Sequence, residues 1–203
     1  PSSTIKGSLS YINNYKNDFL FLVGKKGTFN SNKRVLKQSK YNNYKFIYAE
    51  DEIIASDSPT RLFKNKPESS LIKSIQLLKD NEVSAVVSAG NTGALLSSSL
   101  LLLGKIDKIK RPALGAFIPT DKGGFVLCDV GANSDNKPIH LLQFSIMAKA
   151  YIEYLENIKK PKIALLNIGN ESNKGNLLSI ETFKLLDKYS DNFIGNLESR
   201  DIL

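Results

Sequence analysis

The stretch Ser88-Ala89-Gly90-Asn91-Thr92-Gly93-Ala94 decides the fold that this sequence predicts. It follows the apolar run 83–87 and precedes an apolar segment that ends at Leu103. This order predicts a buried strand that turns directly into a helix capped by Asn91 or Thr92. The first N–H groups of such a helix lack partners within it, and the glycines let a ligand approach the backbone closely. The helix dipole adds about half a positive charge there, so the turn suits an anion.

Glycine and asparagine recur at three further predicted strand ends, at residues 131–133, 167–176 and 195–196. Strands that alternate with helices indicate an α/β fold with a layered, mixed, mostly parallel sheet flanked by helices. Ligands in such folds bind beyond the carboxyl ends of the strands. We therefore expect the four turns to converge on one pocket.

The remaining elements follow from apolar spacing. Helices are predicted at 4–15, from Ser69, at 95–103, 139–158 and 177–189, and strands at 19–23, 44–48, 83–87, 162–168 and from 193. The link 119–124 is too short for a crossover helix, so runs 113–118 and 125–130 are predicted to form an antiparallel hairpin. Residues 50–67, which include Ser58-Pro59, are predicted to be a loop with at most a short helix.

Composition excludes several classes of protein. The chain has 203 residues, is 41% hydrophobic and has one cysteine, Cys128, inside an apolar run, which predicts a reducing compartment and neither a disulfide nor a metal ligand. No signal peptide pattern appears, and no apolar run approaches the ~20 residues that span a bilayer. We expect a cytoplasmic protein with, at most, peripheral contact at the inner face of the membrane.

The net charge of +8 comes from 28 basic and 20 acidic residues. Lysine is scattered among asparagines and does not cluster with arginine and aromatic residues, which argues against nucleic-acid binding. One interpretation of the charge is a compositional bias toward lysine and asparagine. Attraction to an acidic partner or an anionic lipid surface is the alternative.

None of the strand-end turns has a nucleotide-binding motif. In residues 169–176 the lysine precedes the second glycine, whereas the phosphate loop of nucleotide hydrolases has it afterwards. NAD and ATP are thus disfavoured. What remains is a cleft of backbone N–H groups, asparagine amides and the cations Arg111, Lys137 and Lys174, which suits a small oxyanion such as phosphate.

Several candidates have an ordinary structural alternative. His140 is either a helix cap at the edge of the core or a general acid/base. Asp129 either orients a neighbouring turn or binds a metal, and one carboxylate without clustered ligands predicts no metal site. Lys174 is either a solvent-exposed loop residue or a cation that neutralises charge. No serine has a histidine and an acid at the spacing of a catalytic triad.

Seven motifs in order resemble those of the PlsX family, the bacterial phosphate acyltransferases of phospholipid synthesis. They cover nearly the whole chain and are Ser88-Ala89-Gly90-Asn91-Thr92-Gly93-Ala94, Arg111-Pro112-Ala113, Asp129-Val130-Gly131-Ala132-Asn133, Lys137-Pro138 with His140-Leu141-Leu142-Gln143-Phe144, Leu165-Leu166-Asn167-Ile168-Gly169, Lys174-Gly175-Asn176 and Phe193-Ile194-Gly195-Asn196.

The resemblance implies transfer of a long-chain acyl group from acyl carrier protein to inorganic phosphate, which gives acyl phosphate for a glycerol-3-phosphate acyltransferase. It implies the fold shared by phosphate acetyltransferases and isocitrate- and isopropylmalate-type dehydrogenases, usually as a homodimer. It implies no metal and no organic cofactor. The basic surface would then meet the acidic carrier protein.

The chain departs from the family at its ends. The family's first strand, with a Gly-Gly-Asp motif, would precede Pro1, and the C-terminal part, which completes the sheet and contributes to dimerisation and membrane contact, would follow Leu203. Residues 1–203 are therefore expected to be a single α/β acyltransferase region truncated at both ends, which need not be active alone. Ile139 and Ser199 stand where the family usually has Glu and Gly.

The turns and the resemblance together give a candidate site. Lys174, His140 and Lys137 are the candidate catalytic residues. The phosphate-binding candidates are Asn91, Thr92, Gly93, Arg111, Asp129, Gly131, Asn133, Asn167, Gly169, Gly175 and Asn176. Two other functions stay open: a phosphate acetyl- or butyryltransferase that uses acyl coenzyme A, and a non-catalytic phosphate- or lipid-binding module.

Overall fold

The computed structural model describes residues 2–54, 57–58, 61–121 and 123–202. The chain divides into two compact units, Pro1–Gly104 and Lys105–Leu203. Both parallel and antiparallel strand pairs occur, with helices packed on them, which confirms the mixed α/β class. Within the described part of the chain, the strands form three two-stranded sheets and no continuous sheet.

In the first unit, strands β1 (Leu20–Gly24) and β2 (Tyr44–Tyr48) pair in parallel. The helices of this unit are α1 (Ser2–Asn14), α2 (Lys26–Ser31), α3 (Lys33–Leu36), α4 (Leu62–Asn65), α5 (Ser70–Lys79) and α6 (Thr92–Leu103). Helix α4 confirms the short helix expected within the loop 50–67, although Pro59 of that loop lies outside the described residues. Helix α5 begins directly after Ser69, which confirms the helix predicted from that residue, and the Ser69 side chain caps it by accepting from the N–H of Ile72.

Two apolar clusters hold the first unit together. Ile5, Leu9 and Ile12 lie on one face of α1, since their spacing of four and three residues matches the helical period, and they pack with residues of α2 and α3. A second cluster joins α4, α5 and α6 around Ile75, which is 1% exposed. Burying one such isoleucine contributes about 2 kcal/mol.

The prediction of a strand at residues 83–87 is wrong. These residues are described and belong to no strand, and Val87 is 97% exposed. An apolar run becomes a strand only when a neighbouring strand accepts and donates its backbone hydrogen bonds. No strand of the described chain pairs with this run.

In the second unit, β3 (Gly115–Thr120) and β4 (Gly123–Cys128) form the predicted antiparallel hairpin. Helix α7 (Pro138–Glu156) follows, with Pro138 in its first turn as expected. Strands β5 (Ile163–Asn167) and β6 (Phe193–Glu198) pair in parallel, and helix α8 (Leu177–Tyr189) connects them. A 3-10 turn, Ser199–Asp201, follows β6. Leu142, Leu165 and Leu186 form the core of this unit.

Among the residues that the structure describes, no helix has the length and apolar character needed to cross a bilayer.

Candidate functional site

An open cleft of about 560 Å³ lies at the carboxyl ends of β5 and β6. Its lining comes from the end of β5, the start of α8 and the residue that follows β6, namely Leu166, Asn167, Ile168, Gly175, Asn176, Ser179 and Ser199. Parallel neighbouring strands end at the same edge, so the turns that follow them meet there. Of the four predicted strand-end regions, only 167–176 contributes residues to this cleft, which we call the strand-end cleft. The prediction of a strand end at 195–196 is wrong, because pairing with β5 continues β6 through Gly195 and Asn196 to Glu198.

The first turn of α8 presents backbone donors beside the strand-end cleft. Asn176 caps the helix, and its Oδ1 accepts from the N–H and the hydroxyl of Ser179 at 3.0 and 3.1 Å. The N–H of Ile180 donates to the carbonyl of Asn176 at 3.1 Å. Among the described residues, no acceptor pairs with the N–H groups of Leu177 and Leu178. These two donors and the helix dipole favour an anion at this end of the cleft.

The turn before α8 is held closed by Asn167. Its Nδ2 donates to the carbonyl of Lys174 at 3.0 Å, and its Oδ1 accepts from the N–H of Ile168 at 2.9 Å. Gly175 has φ +91°, and a Cβ there would lie 2.5 Å from Oδ1 of Asn167. The glycine is therefore required by both backbone conformation and space.

Lys174 lies on the exposed side of this turn. Its Nζ is 3.7 Å from Oε1 of Glu171, its side chain is 47% exposed, and its aliphatic part lies close to Gly169. Lys174 and Gly169 do not line the strand-end cleft, although both belong to its turn. Asn196, which is 7% exposed, donates from Nδ2 to the carbonyl of Glu171 at 2.7 Å and anchors the turn to β6.

Asp129 organises the turn after β4. Its Oδ1 accepts from the N–H of Leu114 at 2.7 Å, and its Oδ2 accepts from the N–H and Nδ2 of Asn133 at 2.8 and 2.9 Å. Nδ2 of Asn133 also donates to the carbonyl of Pro112 at 2.9 Å. The carboxylate and the amide thus join residues 129–133 to residues 112–114. Of the two alternatives for Asp129, this geometry is that of a residue that orients a neighbouring turn.

Three other candidates lie around the same turn. Arg111 donates from Nη1 to the carbonyl of Asp135 at 2.6 Å, so its guanidinium is placed over the loop that leads to α7. Gly131 has φ +85°, and a Cβ there would meet open space. Lys137 is the exposed N-cap residue of α7.

His140 is the only histidine of the chain, and it lies in the first turn of α7. It is 6% exposed, and its Nδ1 accepts from the backbone N–H of Lys137 at 3.2 Å. An accepting Nδ1 requires the neutral ring, with its proton on Nε2. Burial lowers the pKa of His140 from its usual value, and the nearby charges of Arg111, Lys110 and Lys137 lower it further. The geometry is that of a helix cap.

This cap predicts a pH dependence of stability. Because the folded state lowers the pKa of His140, the unfolded chain binds the proton more readily, so this contribution to stability is present above about pH 6.5 and is lost as the pH falls below it. In His140→Asn, Oδ1 can accept from the N–H of Lys137, so most of the stability should remain without that pH slope. His140→Ala should cost about 1 kcal/mol at pH 7.5. Denaturant unfolding between pH 5 and 7.5 measures both, and an equal slope in His140→Asn would contradict the assignment.

The turn 90–93 belongs to the first unit. Asn91 caps α6, as predicted, since its Oδ1 accepts from the N–H of Ala94 at 2.9 Å. Thr92 and Gly93 form the first turn of that helix. That these residues act on the same ligand as the turns of the second unit stays a prediction.

Four lining residues of the strand-end cleft were not among the candidates, namely Leu166, Ile168, Ser179 and Ser199, and the two serines are the polar ones. Ser179 is three residues beyond the cap Asn176, so counting one turn into α8 from the cap could have found it. Ser199 gives no comparable signal, because its place at the cleft depends on where β6 ends beside β5. In the described part of the chain, no group of three or more His, Cys, Asp or Glu side chains could hold a metal ion.

The sequence was compared with known protein families and with curated proteins. All of residues 1–203 match the family model described as fatty acid synthesis protein. This chain belongs to that family. A phosphate acyltransferase of Dictyoglomus turgidum is 46% identical over 206 residues, and one of Caldanaerobacter subterraneus is 42% identical over 202 residues. A third, of Listeria innocua, is 40% identical over 207 residues.

These alignments cover 100% of this chain and 60%, 59% and 59% of the three relatives, so the chain spans about three fifths of their length. Among solved structures, EutD phosphotransacetylase from Staphylococcus aureus matches with a TM-score of 0.49 and 14% sequence identity. That alignment covers 95% of this chain and 73% of the other.

Proposed function

We propose that the full-length protein transfers a long-chain acyl group from acyl carrier protein to inorganic phosphate. The products are acyl phosphate and free carrier protein, and the acyl phosphate supplies a glycerol-3-phosphate acyltransferase in phosphatidic acid synthesis. The names of the relatives support phosphate as the acceptor. The observation that carries the proposal is the start of α8 beside the strand-end cleft, where the N–H groups of Leu177 and Leu178 have no acceptor among the described residues and are available to an oxyanion.

The reaction needs little covalent participation by the protein. A phosphate oxygen attacks the thioester carbonyl, the new C–O bond forms, and the C–S bond breaks with the electron pair leaving on the thiolate of the carrier. Holding the two reactants close together in the correct orientation can lower the activation barrier by about 7–11 kcal/mol. Fixed N–H donors at the start of α8 would hold the phosphate for that attack.

Lys174 is proposed to neutralise charge as phosphate attacks. Its ammonium group is exposed and its partner Glu171 lies at 3.7 Å, a pairing of solvent-exposed groups that is weak and leaves the cation free to turn toward a bound anion. Lys137 and Arg111 add positive charge near the turn after β4. His140 supports this region as the cap of α7.

Replacing Lys174 by methionine is expected to lower turnover of the full-length enzyme at least about tenfold, because a charge-assisted contact to the transition state is lost. Lys184 is an exposed lysine on α8, the helix that follows the turn of Lys174, and it does not line the cleft. Lys184→Met is therefore the matched control and should leave turnover unchanged. Steady-state release of the carrier thiol measures both. Equal turnover in Lys174→Met and the wild type would remove Lys174 from the mechanism.

The function itself is tested by incubating the full-length protein with phosphate and either acyl carrier thioester or acyl coenzyme A. Acyl phosphate formed preferentially from the carrier thioester supports the proposal. Preference for acyl coenzyme A would instead identify a phosphate acetyl- or butyryltransferase. Phosphate binding without consumption of either thioester would leave a binding module.

A further inference from the structure

A second cleft lies in the first unit, and none of the candidate site residues discussed above lines it. It has a volume of about 300 Å³, at the lower end of the range of small-molecule sites. Its lining comes from α2, from α3 and the residue that follows it, and from β2, and consists of Phe29, Asn30, Lys33, Leu36, Lys37, Tyr44, Phe46 and Tyr48. We call it the aromatic cleft.

The apolar wall of the aromatic cleft follows from strand alternation. Tyr44, Phe46 and Tyr48 are two residues apart on β2 and so lie on one face of that strand. The ring of Phe29 lies 4.3 Å from that of Phe46 and 5.9 Å from that of Tyr48, centroid to centroid. Tyr48 is 50% exposed, so part of this aromatic surface faces solvent.

Two cations line the same cleft. Lys33 and Lys37 are four residues apart, so both side chains leave the same face of α3. Neither ammonium group pairs with a carboxylate among the described residues. An apolar wall with two unpaired cations complements a ligand that has an apolar body and an anionic head.

The ring geometry distinguishes between a flexible chain and a planar ring as the apolar body. Phe29 and Phe46 are inclined by 37°, Phe29 and Tyr48 by 60°, and Tyr44 and Phe46 by 61°. No pair of these rings is parallel, so they offer no slot for a planar base. Ring edges and the Leu36 side chain form an uneven apolar surface that a bending alkyl chain can follow.

We propose that the aromatic cleft binds a single-chain anionic amphiphile, with its alkyl chain along Phe29, Phe46 and Tyr48 and its carboxylate or phosphate between Lys33 and Lys37. This site is additional to the proposed acyl-transfer chemistry and does not depend on it. Its binding can be measured without thioester.

Octyl phosphate, octanoate and the uncharged octanol are the probes, titrated calorimetrically into the full-length protein. The double variant Lys33→Gln/Lys37→Gln should weaken binding of both anions about tenfold and leave octanol unaffected. Lys45→Gln is the matched control, because Lys45 lies on the opposite face of β2, with Nζ 3.8 Å from the centre of the Phe21 ring. It removes a positive charge from the same strand and should not change binding.

The partly exposed position of Tyr48 allows a second variant without disturbing the buried rings. Tyr48→Ser should weaken all three probes, including octanol, by removing apolar surface. Equal affinity of the wild type and the double lysine variant would overturn the proposal. So would binding of adenosine 5′-phosphate as tight as that of octyl phosphate, or attachment to phosphatidylglycerol vesicles without binding of the monomeric probes.

Discussion

Asp129→Asn is expected to lower the free energy of unfolding by about 3 kcal/mol. The carboxylate of Asp129 accepts from the backbone N–H groups of Leu114 and Asn133 and from Nδ2 of Asn133, at 2.7–2.9 Å. Asparagine keeps one acceptor oxygen, and its NH₂ group would face donors in place of the other. Hydrogen bonds to a charged group contribute about 1.5–3 kcal/mol each, and a donor left unpaired adds to the loss.

Chemical denaturation measures this change, and amide hydrogen exchange locates it. Exchange at Leu114 and Asn133 should accelerate beyond that of the α8 amides, because the two acceptors are lost locally. Asp135→Asn is the matched control in the same loop, since only the backbone carbonyl of Asp135, and not its carboxylate, accepts a bond from Arg111. Its effect should stay within about 0.5 kcal/mol. A comparable loss in both variants would show that loop charge, and not the hydrogen-bond network, stabilises this turn.

Gly175→Ala is expected to destabilise the fold by about 3 kcal/mol and to abolish most of the turnover. At φ +91° an alanine is strained, and its Cβ would lie 2.5 Å from Oδ1 of Asn167 and 2.8 Å from Cβ of Ser179. Positive φ costs an L-residue about 1–2 kcal/mol, and overpacking adds about 1–3 kcal/mol. Both neighbours line the strand-end cleft, so relieving the clash moves the phosphate-binding candidates themselves.

Gly131→Ala separates the two causes. Gly131 also has positive φ, +85°, but an added Cβ would meet open space, so only the backbone cost of about 1–2 kcal/mol should appear. Thermal unfolding and turnover of the two variants side by side measure the difference. If Gly131→Ala were as destabilising as Gly175→Ala, the contact with Asn167 and Ser179 would not matter.

Local chemistry made part of this structure predictable. The cap at Asn91 and the starts of α5 after Ser69, of α7 at Pro138 and of α8 at Leu177 are encoded within a few residues, so their patterns predicted them. The β3–β4 hairpin followed from a link too short for any other connection. The prediction of a strand at 83–87 failed because a strand needs a partner strand that is distant in sequence. The spacing of apolar residues does not show whether such a partner is present.

The sequence by itself determined the mixed α/β class, the family and the residues that form the turns after β4 and β5. Only the tertiary structure decided what their side chains do: Asp129 and Asn133 hold a turn, His140 caps a helix as a neutral ring, and Ser179 and Ser199 line the strand-end cleft. The physical reason is that a polar side chain is committed by the donor or acceptor that folding places beside it. That partner is set by three-dimensional proximity, which residue type and spacing do not specify.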